Sequence, residues 1–98
     1  MPDDGIAAVL SPADRPQLRR GVRADIDPLN DEPVLLFPEG VLFLNETAAA
    51  VIRECDGSRS LTEVVQAVSE VYDNVVLEDV ISLLRDLITQ HLLVAHRG

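Results

Sequence analysis

The chain has no tryptophan, no lysine, one cysteine and three aromatic side chains in 98 residues. Because one cysteine cannot close an intrachain disulfide, a disulfide framework is excluded, and so is a thiolate metal cluster within one chain. No stretch approaches the roughly 20 apolar residues of a membrane-spanning helix, and the acidic N-terminus does not look like a signal peptide. We therefore expect a cytoplasmic protein with no membrane partner.

Basic residues are also scarce: the chain has eight arginines and 17 acidic side chains, and its formal net charge is -9. Four of these arginines lie within residues 15–23, and the rest of the chain is strongly acidic. An acidic body repels a phosphate backbone, so general nucleic-acid binding is disfavoured. A chain this short buries only about two-thirds of its unfolded surface in one core, which leaves little room for an enclosed active site. The sequence therefore predicts one small domain that is not an enzyme.

Motifs that carry catalysis or bind cofactors are absent from the sequence. His91 and His96 lie near the C-terminus, where exposure to solvent is a better expectation than metal binding. Cys55 lies on the apolar side of a predicted helix without an obvious base nearby, so we expect inert core packing. There is no glycine-rich phosphate loop. We predict no catalytic residue, no metal site and no cofactor.

The first part of the chain is broken up by proline, glycine and aspartate, and we predict a mobile tail over residues 1–15 and a folded domain over residues 16–95. From Gln17 the chain reads as a first strand, with Leu18, Val22 and Ile26 interleaved with charged residues. Two short apolar runs then flank Pro38-Glu39-Gly40. Proline presets the first turn position and glycine takes a positive φ, so this spacer predicts a hairpin with a three-residue loop.

Three helices follow the hairpin. Asn45 is placed to cap the first helix, and Ser60 and Glu63 spell a capping box for a second helix over residues 61–72. Apolar spacing predicts a third helix over residues 77–91. The order of three strands and then three helices predicts an α+β fold, in which a three-stranded antiparallel sheet is covered by helices.

The second and third strands are apolar at every position over residues 34–37 and 41–44, whereas a sheet with one wet face should alternate. Residues 41–44 contain neither the charge nor the proline that normally protects an edge strand. The apolar arc of the third helix spans about 180°, wider than one packing seam needs. These features suggest that a peptide docks as an added strand between edge and helix. Ordinary two-sided burial, a homodimer or a swapped strand would also explain them.

Several segments of the sequence carry a family resemblance: RPQLRRGVR at 15–23, VLLFPEGV at 34–41, LNETAA at 44–49, Asp56-Gly57 before Ser60, Asp79-Val80, Leu83-Leu84 and Leu92-Leu93. Together they resemble the PqqD family, the small peptide chaperones of pyrroloquinoline quinone biosynthesis, from about Pro16 to Leu93. The resemblance implies a winged-helix-like domain called a RiPP recognition element. Such a domain has no cofactor. It binds the leader of a PqqA-like precursor peptide beside its third strand and against its third helix, and presents it to a PqqE-like radical SAM enzyme.

Carried onto this chain, the resemblance implies a docking strand and a helical wall with these peptide-binding residues: Val41, Leu42, Phe43, Leu44, Val80, Leu83, Leu84 and Leu87. Two alternatives keep the fold. One is a free-standing leader-recognition element of another ribosomal peptide pathway, such as a lasso-peptide system. The other, a winged-helix DNA-binding regulator, is weaker because the second helix has no basic residue and the third has only Arg85. Both a monomer and a homodimer are compatible with the sequence.

Overall fold

The computed structural model describes residues 10–97 of the chain. The elements, in chain order, are β1 (Arg15–Leu18), β2 (Arg23–Asp27), β3 (Glu32–Phe37), β4 (Gly40–Phe43), α1 (Glu46–Arg53), α2 (Leu61–Ser69), α3 (Leu77–Thr89) and β5 (Leu93–His96). This arrangement confirms the predicted α+β class with three helices. Among the described residues, no helix has the length and apolar character needed to cross a membrane.

The strands form two antiparallel sheets, a three-stranded sheet in the order β2-β3-β4 and a two-stranded sheet of β1 and β5. The predicted first strand is therefore two strands in different sheets. The break occurs at a turn closed by the Val22 N–H, which donates to the Arg19 carbonyl at 2.9 Å. Gly21 in this turn has a φ of 90°, a backbone conformation that glycine adopts without steric cost.

Strand β5 was not predicted, since no element was assigned after the third helix. His91 has a φ of 63° and ends the helical path, after which Leu93 pairs with Leu18 and His96 pairs with Arg15. The His96 Nε2 and Gln17 Oε1 atoms, 2.8 Å apart, join the same two strands through their side chains. Partners so far apart in the chain leave no local pattern from which the pairing can be inferred.

The predicted hairpin is confirmed as β3 and β4, with a loop one residue shorter than expected. Gly40 already pairs with Phe37, so the connection consists of Pro38 and Glu39 alone. The register continues through Leu35 opposite Leu42 to Val34 opposite Phe43.

The predicted helix starts are confirmed at atomic detail. The Ala48 N–H donates to Asn45 Oδ1 at 2.7 Å, at the start of α1. In the capping box of α2 the Glu63 N–H donates to Ser60 Oγ at 3.2 Å, and the Ser60 N–H donates to Glu63 Oε1 at 2.8 Å. Helices α2 and α3 end two to three residues earlier than predicted, because a tight turn follows α2 and a left-handed residue follows α3.

One hydrophobic core joins the helices to the inner face of the larger sheet. It consists of Leu10, Leu35, Val51, Ile52, Cys55, Leu61, Val64, Val68, Val80, Leu84, Leu87, Leu92 and Leu93. Leu10 belongs to the predicted mobile tail, of which residues 1–9 lie outside the described residues. The rest of that segment is attached to the domain, because the Leu61 N–H donates to the Asp14 carbonyl at 2.8 Å. The ordered domain therefore begins before Pro16.

Candidate functional site

Among residues 10–97, strand β4 lies at one edge of the larger sheet and has β3 as its single neighbour. The Leu44 N–H donates to the Pro33 carbonyl on β3 at 2.9 Å. Because backbone groups point to alternate sides along a strand, the N–H and C=O of Leu42 also point to β3, whereas those of Val41 and Phe43 point away from the sheet. The outer side of β4 therefore presents backbone donors and acceptors to an additional strand.

The side chains of β4 divide between the two faces of the sheet. Leu42 and Leu44 are partly buried and pack against the core. Val41 and Phe43 lie on the outer face, with exposed fractions of 48% and 53%. Together with Val34 and Leu36 they line a shallow apolar cavity of about 280 Å³. The uniform apolar pattern of this hairpin thus has two causes, a core-facing side and an uncovered apolar outer side.

At the opposite edge of the sheet, a side chain of β2 occupies one of the outward backbone groups. Val34 on β3 pairs with Asp25, so the N–H of the next residue, Ile26, points outward. The Asp25 carboxylate accepts a hydrogen bond from this N–H at 2.8 Å. A charged side chain at an edge also discourages pairing with another strand. Among the described residues, β4 is the edge strand without such a charged side chain.

The residues of the predicted helical wall differ in how deeply they are buried. Val80, Leu84 and Leu87 are almost completely buried and belong to the core, and Val80 also borders a cavity. Their spacing of four and three residues is that of a core-facing helical stripe. Leu83 is partly exposed and is the predicted wall residue that remains available at the surface.

Leu83 borders a cavity of about 320 Å³ at the end of β4. The cavity is lined by Asn45 and Thr47 at the start of α1, by the α2–α3 loop, and by Asp79, Val80 and Leu83 of α3. None of the polar residues here was predicted as a peptide-binding residue. Asp79 lies four residues before Leu83 and about 40° away from it on a helical wheel. This shared helix face is the signal in the sequence that could have placed Asp79 beside Leu83.

A second cavity, of about 460 Å³, lies at the start of β4. It is lined by residues of the β1–β2 turn, the β3–β4 turn and the end of α3: Arg19, Arg20, Val22, Phe37, Pro38, Glu39, Gln90, His91 and Leu92. One cavity thus connects the end of β4 to the start of α3, and the other connects the start of β4 to the end of α3. We call the surface between these two cavities the β4–α3 groove. Leu83 lines one of the cavities, and Leu42 and Leu44 are partly buried against the core.

The reactive side chains lie elsewhere. Burial, followed by the nearby charges of Asp56 and Glu54, raises the pKa of the Cys55 thiol to about 12. Its Sγ atom donates to the Val51 carbonyl at 3.2 Å, which matches the predicted core role. Among residues 10–97, no three histidine, cysteine or acidic side chains come together as a metal site would require. The groove itself offers backbone hydrogen bonds and apolar surface.

Comparisons with known proteins agree with this geometry. The family "Coenzyme PQQ synthesis protein D (PqqD)" matches residues 32–93. The chain is 47% identical to a "PqqA binding protein" of Azotobacter vinelandii over 57 residues, 58% of this chain and 62% of that protein. It is 39% identical to a "PqqA binding protein" of Stutzerimonas stutzeri over 71 residues, 70% of this chain and 77% of that protein. The matched segment thus spans less than two thirds of the Azotobacter protein.

A solved structure extends the similarity to the fold. The solution structure of the PqqD truncation of Methylobacterium extorquens PqqCD is described as a functional, stand-alone RiPP recognition element. It superimposes with a TM-score of 0.77 at 30% sequence identity, covering 90% of this chain and 97% of that one. The family match over more than half of the chain and this agreement in fold lead to one conclusion: the chain belongs to the PqqD family.

Proposed function

We propose that this protein binds the precursor peptide of pyrroloquinoline quinone biosynthesis by adding a segment of it as a strand beside β4. The open β4 edge is the observation on which this proposal depends. Its outward backbone groups supply hydrogen bonds that do not depend on the peptide sequence, and the apolar side chains beside it supply selectivity. The names of the Azotobacter and Stutzerimonas relatives, which state that they bind PqqA, support this choice of ligand.

In this proposal the peptide-binding residues are those of the edge and of the groove beside it. Val41 and Phe43 would hydrogen bond to the added strand through their backbones. Leu42, Leu44 and Leu83 would contact peptide side chains that turn toward the groove. Val80, Leu84 and Leu87 would act indirectly, by fixing the position of α3 against the core.

The proposal includes a second step, in which the bound precursor is presented to a radical SAM enzyme that cross-links a Glu and a Tyr of the peptide. Support for this step comes from membership of the PqqD family. The protein would then act by positioning a substrate for another enzyme.

Titration calorimetry with a synthetic precursor peptide tests the binding step. We expect saturable one-to-one binding by the 98-residue chain, and no binding of a scrambled peptide of identical composition. A precursor of a lasso-peptide system serves as the competing ligand. Preference for that precursor would contradict the assigned pathway, and equal binding of the scrambled peptide would contradict specific recognition.

A reconstituted reaction tests the presentation step separately. The precursor and the radical SAM enzyme are incubated with and without the protein, and the cross-linked peptide is quantified by mass spectrometry. We expect the yield to depend on the protein and to fall in a variant that no longer binds the peptide. Full yield without the protein would contradict the presentation step and leave the binding step intact.

A further inference from the structure

The two ends of the β4–α3 groove carry opposite charges. The cavity at the Asn45 end is lined by two carboxylates, Asp73 and Asp79, and by no basic residue. Asp86 is exposed and lies three residues after Leu83, on the same side of α3, so the acidic wall continues toward the end of the helix. The sign of the charge changes only at the β1–β2 turn.

The cavity at the Gly40 end contains Arg19 and Arg20, together with the carboxylate of Glu39. Among residues 10–97 the one ion pair is Arg59 with Glu54, so Glu39 does not approach either arginine to within 4.0 Å. The Arg19 Nη1 donates to the His91 carbonyl at 3.5 Å, a contact that holds its side chain near the end of α3. Arg19 and Arg20 thus form a basic site in a chain of net charge -9.

The two ends of the groove are far enough apart that the electrostatic potential at one end is little affected by the charges at the other. Glu39 and Asn45 are six residues apart along β4, which corresponds to roughly 20 Å of extended chain. The Debye length at physiological ionic strength is about 8 Å. A peptide strand that lies along β4 would therefore experience a negative potential near Asn45 and a positive one near Arg20, with little cancellation between them.

We propose that the groove selects a charge-segregated peptide, with Lys or Arg side chains at the Asn45 end of the added strand and Asp or Glu side chains at the Gly40 end. This inference rests on the peptide-binding function proposed above and deepens it. The opposite charges of Asp79 and Arg20 then set the direction in which the peptide lies. Backbone hydrogen bonding alone does not determine that direction, because an edge strand accepts parallel and antiparallel partners.

Neutral variants at each end test the proposal in the full chain with the synthetic precursor peptide. We expect Asp79→Asn and Arg20→Gln each to raise Kd about threefold to fivefold, the upper range for exposed ion pairs. Glu78→Gln is the matched control for Asp79→Asn, since both side chains belong to the first turn of α3 but Glu78 lies outside the cavity. Arg85→Gln is the control for Arg20→Gln. Both controls should leave Kd unchanged.

Double-mutant cycles that combine protein variants with altered peptides show which charges of the peptide lie at which end of the groove. Neutralising the basic residues of the peptide should remove the effect of Asp79→Asn, and neutralising its acidic residues should remove the effect of Arg20→Gln. If the unmodified protein does not bind the precursor, the proposed function itself fails and this inference fails with it. If the peptide binds but the groove variants behave like their controls, or if either effect persists with the neutralised peptide, only the charge-selection proposal is overturned.

Discussion

The two edges of the three-stranded sheet differ in how they treat their outward backbone groups. Strand β2 alternates charged and apolar residues, and its Asp25 side chain occupies the outward N–H of Ile26. Strand β4 has the sequence Gly-Val-Leu-Phe, and the outward groups of Val41 and Phe43 have no charged side chain of the same strand beside them. The two strands that flank β3 therefore differ in whether a charged side chain protects the outer edge: β2 has one, and β4 does not.

The difference shows that the risk of unwanted strand pairing is suppressed at one edge of the sheet and not at the other. An uncovered apolar edge promotes association with other chains, and proteins usually suppress it with charge or proline. Here β2 carries that protection, whereas β4, next to the helix α3 and two cavities, does not. An unprotected edge beside a groove is what strand addition requires.

The largest effect is expected from Leu42→Pro. The Leu42 N–H points to β3, so proline would remove a bond of the ladder in a strand of four residues. We expect a loss of about 2 kcal/mol in the free energy of unfolding, since a buried acceptor also loses its donor. Urea denaturation followed by circular dichroism measures the change. Unaltered stability would mean that the assignment of inward and outward groups on β4 is wrong.

Phe43→Pro should weaken peptide binding at least tenfold and leave the fold intact, because the outward N–H is lost and the ladder to β3 is kept. The matched control is Ile26→Pro on β2, where the outward N–H serves only its neighbouring carboxylate. We expect this control to bind normally. Phe43→Ala keeps the N–H and separates the contribution of the ring. Titration calorimetry on the folded variants measures the peptide affinity. Equal losses of affinity for Phe43→Pro and Ile26→Pro would contradict the distinction between the two edges.

A smaller effect on binding is expected from Leu83→Asp. The side chain is partly exposed at the groove, so the charge remains solvated and affinity should fall about fivefold to tenfold with little change in Tm. Leu84→Asp is the contrast, because it would place a charge in the core and should prevent stable folding. A large drop in Tm for Leu83→Asp, with normal binding by the folded fraction, would show that Leu83 is a core residue and not a groove residue.

The smallest effect should come from Asp25→Ala. Removal of the carboxylate frees the Ile26 N–H at the β2 edge and should change the free energy of unfolding by less than about 1 kcal/mol. Exchange of the Ile26 amide hydrogen should become faster, as measured by nuclear magnetic resonance. Faster exchange with unchanged peptide affinity is expected, whereas a loss of affinity would implicate the β2 edge in binding.

The local elements of the fold could be predicted from the sequence because short-range signals specify them. The hairpin around Pro38 and the capping box of Ser60 and Glu63 are examples. The pairing of β1 with β5 could not, since its residues lie at opposite ends of the chain and share no pattern. The packing of Leu10 could not be predicted for a related reason, because it depends on a core assembled from distant segments.

The candidate site was predictable in part. The composition of β4 was enough to mark it as an unprotected edge. A helical wheel shows how wide the apolar arc of α3 is but not which part of it faces the core, so the burial of Val80, Leu84 and Leu87 could not be predicted. The charges at the ends of the groove arise where separate elements meet, as at Arg20 and Glu39, and sequence spacing does not reveal such proximity.

Amide hydrogen exchange in the presence of the precursor peptide tests the central claim most directly. In the free protein the Leu42 amide should already be protected and the Val41 and Phe43 amides should exchange quickly. Bound peptide should slow exchange at Val41 and Phe43 and leave Ala24 and Ile26 on β2 unchanged. Continued fast exchange at Phe43 in a saturated complex would contradict strand addition at β4.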